Sequence, residues 1–475
     1  MSQQLEFKTV KISDIEVDPK VYPRKRGVDS RRVARYAACM RDGDKFERIQ
    51  VEPPRDGKHR LLDGLHRIKA LKEIGTEEAD VTVIGLDGES ALLYAASRNR
   101  FGKDLIDEEA EDVAQRAFQE NPKVTNKEIA LAVGRSEATV SGYLSDLRAR
   151  HDLAQDLKIF KMGLLGIPQE RIAQRVGVTQ RIVESHLHKT SELKSGVNSQ
   201  LERGFSVNTI AEKLGWPEPL VWAVALEGKD DKTRLDKLQW NIRPWDYWNW
   251  GDVDHRFGDN WPGRIPAQLV AHALYFFTRP TALILDPMAG GGVTPDVCLA
   301  LNRRCWSFDM VDRPDSRPEI EPYFWDWRNL IWPVAGKAKP DFIFFDPPYF
   351  KKIEAEYGEN SISALPRSEY LKFFREWAVL TAENTKASTR LALLEADWRD
   401  FESTAAMNEN PRNAVTILDY VREVSQGGWE LTHRIEAPLS SERFTGNMVT
   451  AMQERRSLGT VSRTLLMFQK AIKKD

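Results

Sequence analysis

Thr281-Ala282-Leu283-Ile284-Leu285-Asp286-Pro287-Met288-Ala289-Gly290-Gly291-Gly292 reads as a buried strand that ends in an acid and runs into a glycine-rich turn. That is the opening of a Rossmann-type unit. A glycine-rich turn alone serves nicotinamide, flavin and S-adenosylmethionine sites alike. The spacing discriminates between them. A dinucleotide site uses G-x-G-x-x-G to lodge a pyrophosphate, but here Gly292 is followed by Val293-Thr294-Pro295, and Asp286 would repel that anion. S-adenosylmethionine carries an ammonium and a sulfonium, which an acid beside the turn suits.

Working outward, Arg304-Cys305-Trp306-Ser307-Phe308 predicts a second strand ending at Asp309, 23 residues after Asp286. An acid at that distance can accept hydrogen bonds from ribose hydroxyls. A third buried strand, Asp341-Phe342-Ile343-Phe344-Phe345, delivers Asp346-Pro347-Pro348-Tyr349 at its carboxyl end, where ligands bind in open α/β sheets. That tetrapeptide has a definite chemical use. An exocyclic amine on a nucleobase is a poor nucleophile because its lone pair is drawn into the ring. Asp346 can accept one N–H and the Pro347 carbonyl the other, freeing the lone pair, while the prolines stiffen the loop. Tyr349 offers a face on which an extruded base stacks.

These residues resemble the amino-methyltransferases that act on DNA, and the resemblance covers roughly 240–475. It implies S-adenosylmethionine as cofactor and Asp346, Pro347, Pro348 and Tyr349 as the catalytic motif. The cofactor residues it implies are Asp286, Pro287, Ala289, Gly290, Gly292 and Asp309, with Asp326 near the adenine. Arg264, Ile265 and Pro266, just before the helix-like Ala267 to Phe276, match the family's cofactor-side motif. The motif order is the γ arrangement. Methylation of adenine N6 is the implied reaction, with cytosine N4 as the alternative. The last expected strands are Trp429 to Glu436 and Arg463 to Gln469, so site recognition is expected from elsewhere in the chain. Arg443, Arg455 and Arg456, in a polar insertion between those strands, either grip DNA or form a solvated loop.

The first part of the chain is built differently. All 14 tryptophans lie between Trp216 and Trp429, and a charged stretch at Glu227 to Lys232 places a boundary near 230. Five of those tryptophans, from Trp240 to Trp261, predict a connector packed over the sheet. Residues 1–105 alternate short β-like and helix-like runs, which predicts a small α+β domain. From Leu105 a helical unit repeats: Ile129-Ala130 with Gly134, Ile172-Ala173 with Gly177, Ile210-Ala211 with Gly215. Each is a short helix, a glycine turn and a capped second helix, the grammar of helix-turn-helix. Thr125 and Glu128 form a capping box, and Ser136 and Thr179 cap second helices. Glu137, Thr139 and Ser141 in the first unit, and Gln180, Arg181 and Glu184 in the second, are the candidate DNA contacts. The third unit's second helix, from Trp216 to Leu226, is too apolar for phosphates and should pack on a neighbour.

Val10 to Ile15, Pro23-Arg24, Glu47 to Val51 and Asp63-Gly64-Leu65-His66-Arg67-Ile68-Lys69-Ala70 resemble the ParB/sulfiredoxin-like superfamily. The resemblance covers about 5–105 and continues into the helix-turn-helix, the order ParB proteins use. Nucleotide-binding members hold phosphates with a Gly-Glu-Arg-Arg box; here Arg67 is kept, while Leu65 and His66 replace the residues before it. Sulfiredoxins carry a catalytic cysteine where Leu65 stands, which rules against reductase chemistry. The expected partners are double-stranded DNA, a second copy of the chain, and CTP at the N-terminal domain. Arg24-Lys25-Arg26, Arg31, Arg32 and Arg35 either meet the DNA backbone or form a solvated face.

With 475 residues, 41% hydrophobic and 29% charged, the chain predicts a multidomain protein. The domains are expected at 1–105 (ParB-like, α+β), 106–230 (all-α helix-turn-helix array) and 231–475 (α/β Rossmann-like methyltransferase). No apolar run approaches the roughly 18 residues that span a bilayer, so a cytoplasmic, nucleoid-associated location is expected. Cys39, Cys298 and Cys305 lack metal-ligand or disulfide spacing. A net charge of -2 leaves the partner open. The competing reading is a ParB-like regulatory protein whose methyltransferase fold only senses cofactor.

Overall fold

The computed structural model describes residues 5–25, 27–98, 104–250, 253–334, 338–351, 360–398, 414–438, 445–454 and 458–471. Arg26, Arg443, Arg455 and Arg456 lie outside them. Two units divide the chain, Met1–Leu153 and Ala154–Asp475.

In the first unit, alternating apolar residues build β1 (Leu5–Lys11), β2 (Ile15–Glu16), β3 (Ile49–Val51), β4 (His59–Asp63) and β5 (Glu78–Ile84). They form one sheet in the order β1-β5-β3-β4-β2. Ile49, Val51, Leu61, Val81 and Val83 bury their side chains with Leu65 and Ile68 of the helix that follows β4. The first helix-turn-helix pair packs in this unit, where Ile129, Val133, Val140 and Leu144 share a core with Leu92, Ala96 and Phe118. Its capping box closes: Glu128 N–H donates to Thr125 Oγ1 at 3.2 Å and Thr125 N–H to Glu128 Oε2 at 2.8 Å. Gly134 then takes φ +70°, a left-handed turn that a side chain would strain.

The second unit is organised on β6 (Leu283–Asp286), β7 (Arg304–Asp309), β8 (Ile320–Pro322), β9 (Phe342–Phe345), β10 (Arg390–Glu395), β11 (Trp429–Glu436) and β12 (Thr464–Lys470). The order is β11-β12-β10-β9-β6-β7-β8. Strands β6 to β10 pair in parallel, and β12 runs antiparallel to both β10 and β11. This is a Rossmann-like, mainly parallel sheet, and the chain is multidomain, with an α+β first unit and an α/β second. β6 lies between β7 and β9, at the point where strand order reverses and ligands bind in such sheets.

Residues 106–230, expected as a helical array of their own, are shared between the two units. The reason is packing. The 28-residue helix Glu137–Leu164 carries Val140 and Leu144 into the first core, whereas Ile159 and Met162 enter the second with Ile172, Val183, Val297 and Leu299. Cys305 N–H, on β7, donates to the Leu165 carbonyl at 2.9 Å. The third unit's helix Glu218–Ala225 buries Pro219, Leu220, Val221 and Val224 against the helix Val293–Ala300, as its apolar composition predicts. Trp240 and Trp248 are buried in the same core, while Trp245 is exposed.

A buried charged network anchors this helical layer. Arg317 Nη1 donates to Asp296 Oδ1 at 2.8 Å and to Glu319 Oε1 at 3.2 Å, and Nη2 donates to Asp259 Oδ1 at 2.8 Å. Lys161 adds bonds to Glu319 at 2.7 Å and Asp296 at 3.1 Å. The Asp296 carboxyl is driven below its ordinary range by Lys161 and Arg317, which outweigh the cost of its burial. Removing one cation from such a cluster leaves carboxylates buried and underpaired, at a cost of about 3–5 kcal/mol. Arg317→Leu should therefore destabilise the second unit by that amount. Because every tryptophan lies beyond residue 215, intrinsic fluorescence during denaturant unfolding of the full chain reads this unit. A loss below about 1 kcal/mol would show that the network is not what holds it.

Candidate functional site

The carboxyl ends of β6, β7 and β9 open onto one cavity of about 350 Å³. Three acids line it, one from each strand end: Asp286, Asp309 and Asp346. Arg264 and Ile265 come from the segment before the helix Ala267–Phe277, and Ala289, Gly290 and Gly291 from the turn after β6. Trp261, Met288, Met310, Phe324 and Trp325 give the apolar walls, and Asn360, Ser361 and Ile362 close the side beyond β9.

The glycines of the turn also accommodate the protein's own chain. A Cβ on Gly290 would meet the Trp261 ring at 3.0 Å, and one on Gly291 the Asp259 carbonyl at 3.0 Å. A Cβ on Gly292, at φ +84°, would meet the Arg317 guanidinium at 2.8 Å. The missing side chains thus make room for the protein's own 259–261 segment and for Arg317. Gly292 is not in the cavity lining. Nor are Pro266, Pro287 and Asp326. The Pro287 carbonyl accepts the Trp325 indole N–H at 2.8 Å, and Asp326 turns onto the Arg328 backbone N–H at 3.0 Å.

Asp309 braces the turn. Its carboxylate accepts the Gly290 N–H at 2.9 Å and the Val311 N–H at 3.0 Å. Asp286, buried at the end of β6, is pushed up to about 7, chiefly by burial, with the Asp346 and Asp309 charges adding and hydrogen bonds from Thr294 and the Met288 N–H opposing. Of the catalytic tetrapeptide, Asp346 and Pro348 line the cavity, whereas Pro347 and Tyr349 do not. The Tyr349 phenol is raised well above its ordinary range by burial, by the Asp346 charge and by its hydrogen bond with Asp346. Sequence reasoning missed Trp261, Phe324 and the 360–362 segment. Trp261 was legible as one of the clustered tryptophans, whereas nothing in the local sequence marks 360–362.

Such a lining suits a ligand with cationic, carboxylate and flat aromatic parts. The three acids favour cations, and Arg264 keeps its buried Nε without a hydrogen-bond partner among the described residues. Its Nη2 is engaged by the Asp254 and Phe257 carbonyls at 3.0 and 2.6 Å.

A second cavity, about 290 Å³, lies in the first unit and is lined by Arg24, Arg32, Arg98, Tyr36, His66 and Arg67 among others. Arg67 is largely occupied by the fold: Nη1 donates to the Glu47 carbonyl at 2.6 Å and Nη2 to Asp63 at 2.5 Å. His66 Nε2 accepts the Asp29 N–H at 3.2 Å, and burial with the Arg32 and Arg24 charges lowers its affinity for a proton. Of the helix-turn-helix candidates, Glu137, Ser141, Gln180, Arg181 and Glu184 are exposed. Thr139 is half-buried, with its hydroxyl on Ser136 Oγ at 2.8 Å.

The sequence is similar to the relative named "Probable chromosome-partitioning protein ParB" from Vibrio cholerae, 24% identical over 230 residues, 45% of this chain and 77% of the relative. A ParB of the same description from Pseudomonas putida is 27% identical over 123 residues, covering 26% of this chain and 42% of its own length. Among solved structures, TrmN from Thermus thermophilus matches 44% of this chain and 50% of its own, at 14% identity and a TM-score of 0.26. No family model matches the sequence.

The raised Asp286 acid predicts a pH dependence. A cation in the cavity is held by the ionised carboxylate and lowers its proton affinity, so binding is coupled to proton release below about 7. S-adenosylmethionine, the cationic ligand expected from the sequence, should bind about tenfold more tightly at pH 8 than at pH 6. Asp286→Asn should bind more weakly and lose that dependence, apart from the ligand's own titration. Calorimetry across the pH range checks this, and a parallel profile in both proteins would contradict it.

Proposed function

We propose that the second unit transfers a methyl group from S-adenosylmethionine to an exocyclic amine in DNA, with adenine N6 the first expected target and cytosine N4 the alternative. The observation that carries the reading is Asp346 at the end of β9, facing the same cavity as the acids that end β6 and β7. When bound, S-adenosylmethionine supplies an electrophilic methyl on its sulfonium. Asp286, Asp309 and Arg264 would hold its charged ends and ribose. Asp346 accepts an N–H of the target amine, favouring a nitrogen with an available lone pair. The Pro347 carbonyl is the second acceptor in this reading, since the Pro348 carbonyl already accepts the Tyr370 hydroxyl at 3.1 Å.

The reading also assigns the helix-turn-helix pairs to DNA docking. Relatives of the N-terminal part are named for chromosome partitioning, and the exposed Glu137 and Ser141 of the first unit, and Gln180, Arg181 and Glu184 of the second, present polar side chains suited to a groove. Mass spectrometry of nucleosides from DNA treated with the protein and cofactor tests the reaction and identifies the base. Asp346→Ala should lose methyl transfer by about 100-fold or more while its cofactor affinity stays within about threefold. Near-parental turnover would remove the mechanism, and cofactor binding without transfer by the parent would favour the sensing role.

Nucleotide binding by the first unit rests on its cationic cavity. Since Arg67 is held by Glu47 and Asp63, Arg32 is the better probe. Titration of the full chain with CTP should give saturable heat that Arg32→Ala weakens about tenfold. A flat parental titration would leave this unit a docking scaffold.

A further inference from the structure

Beneath the Asp346-Pro347-Pro348-Tyr349 turn lies a buried polar cluster that the proposed reaction does not use. Glu395 ends β10, whose Leu393 pairs with Phe345 of β9, so Asp346 and Glu395 leave the same end of neighbouring strands, close enough for Glu395 to feel the Asp346 charge. Glu395 is fully buried. Its Oε2 has no hydrogen-bond partner among the described residues, an arrangement costly for a carboxylate and far less so for a neutral acid. Tyr370, on the helix Arg367–Asn384, and Tyr420, on the helix Ile417–Gln426, are buried with it.

The Tyr370 hydroxyl oxygen is 3.1 Å from the Pro348 carbonyl, 3.3 Å from Glu395 Oε1 and 3.3 Å from the Tyr420 hydroxyl. It has one proton for these neighbours. The Pro348 carbonyl can only accept, so a Tyr370 that serves it has no proton left for Glu395 and can take a hydrogen bond from Tyr420 or from Glu395, the latter only when Glu395 is protonated. An ionised Glu395 would draw the same proton toward itself and leave the Pro348 carbonyl unserved.

We propose that Glu395 is a positioning residue which, carrying its own proton, directs the Tyr370 hydroxyl onto the Pro348 carbonyl and so holds the Asp346-Pro347-Pro348-Tyr349 turn in the shape that methyl transfer needs. The proposal rests on the reading of the second unit as a methyltransferase. The groups that face the cluster agree with it. Burial raises the Glu395 acid well above its ordinary range and the Asp346 charge adds to this, outweighing the hydrogen bonds that an ionised Glu395 would accept from Tyr420, the Ala396 backbone and Tyr370. A charge on Glu395 would act on Tyr349 and Tyr370, Asp286 feels the Asp346 charge, and the nearby cation, Arg463, acts on Tyr349. A protonated acid held as a hydrogen-bond donor by its apolar surroundings is an established device in enzyme sites.

The test compares the full-length parent with Glu395→Gln, Glu395→Ala and Tyr370→Phe. An amide N–H can replace the acid as donor, so Glu395→Gln should keep turnover within about threefold of the parent. Glu395→Ala and Tyr370→Phe should each lose about tenfold or more with cofactor affinity unchanged. The parent's turnover should fall at alkaline pH as Glu395 ionises, and Glu395→Gln should lack that limb. The infrared difference spectrum of parent minus Glu395→Gln at pH 8 should show the C=O stretch of a neutral carboxylic acid. Absence of that band, equal losses in folded Glu395→Gln and Glu395→Ala, or full turnover in Tyr370→Phe would each overturn the proposal. A parent that transfers no methyl group to DNA would instead overturn the functional reading, and the infrared band still decides whether Glu395 carries its proton.

Discussion

Arg317 occupies the space that a side chain on Gly292 would need, and its guanidinium reaches Asp259, Asp296 and Glu319 at once. Much of the second unit hangs on that placement. Asp259 leads into Trp261, which covers Gly290 and Gly291; Asp296 sits on the helix after the turn; Glu319 and Asp296 also receive Lys161 from the long helix Glu137–Leu164. Two buried cations, Arg317 and Lys161, thus connect the glycine turn, the segment before β8 and the long helix. Interior charge is tolerated because each carboxylate of the set has a cationic partner.

On the other side of the turn the charge balance is reversed. Asp286, Asp309 and Asp346 converge on the cavity, and the nearest lining cation is Arg264. Asp309 relieves its own charge on two backbone N–H groups, whereas Asp286, more deeply buried, takes up a proton near neutrality. The cavity is therefore short of positive charge in a way that a cationic ligand repairs. The same logic underlies the state proposed for Glu395, whose carboxyl forms no ion pair among the described residues, so that a proton would remove the charge.

The first unit uses a motif differently from what its residues suggest in isolation. Arg67 looks like a phosphate ligand in the box Gly64-Leu65-His66-Arg67, yet its fork closes on the Glu47 carbonyl and Asp63. His66 accepts a backbone N–H at the entry to the helix Ser30–Arg41. Cationic character at that cavity comes from Arg24, Arg32 and Arg98, residues far from the box in sequence.

Much of the fold is legible in local sequence, because strand alternation, glycine turns and caps act between residues a few positions apart. The runs ending at Asp286, Asp309 and Asp346 are strands in the expected order, Thr125 and Glu128 close their box, and Gly134, Gly177 and Gly215 all take positive φ. The apolar Leu220, Val221 and Val224 announced a packed helix. What local sequence could not decide is which distant groups share a space. That the helices after residue 154 belong to the sheet, that Trp261 and Arg317 fill the glycine positions, and that Glu395, Tyr370 and Tyr420 meet under Pro348 all depend on contacts between segments tens to hundreds of residues apart. Charge and proton placement follow from those contacts, since burial and neighbours, not residue type, set the state of Asp286 and Glu395. The sequence by itself determined the strands, the turns and the acids at their ends; only tertiary structure decided which acids of the chain are paired with cations, which rest on backbone N–H groups and which take up a proton, because desolvation exists only once the chain has closed around them.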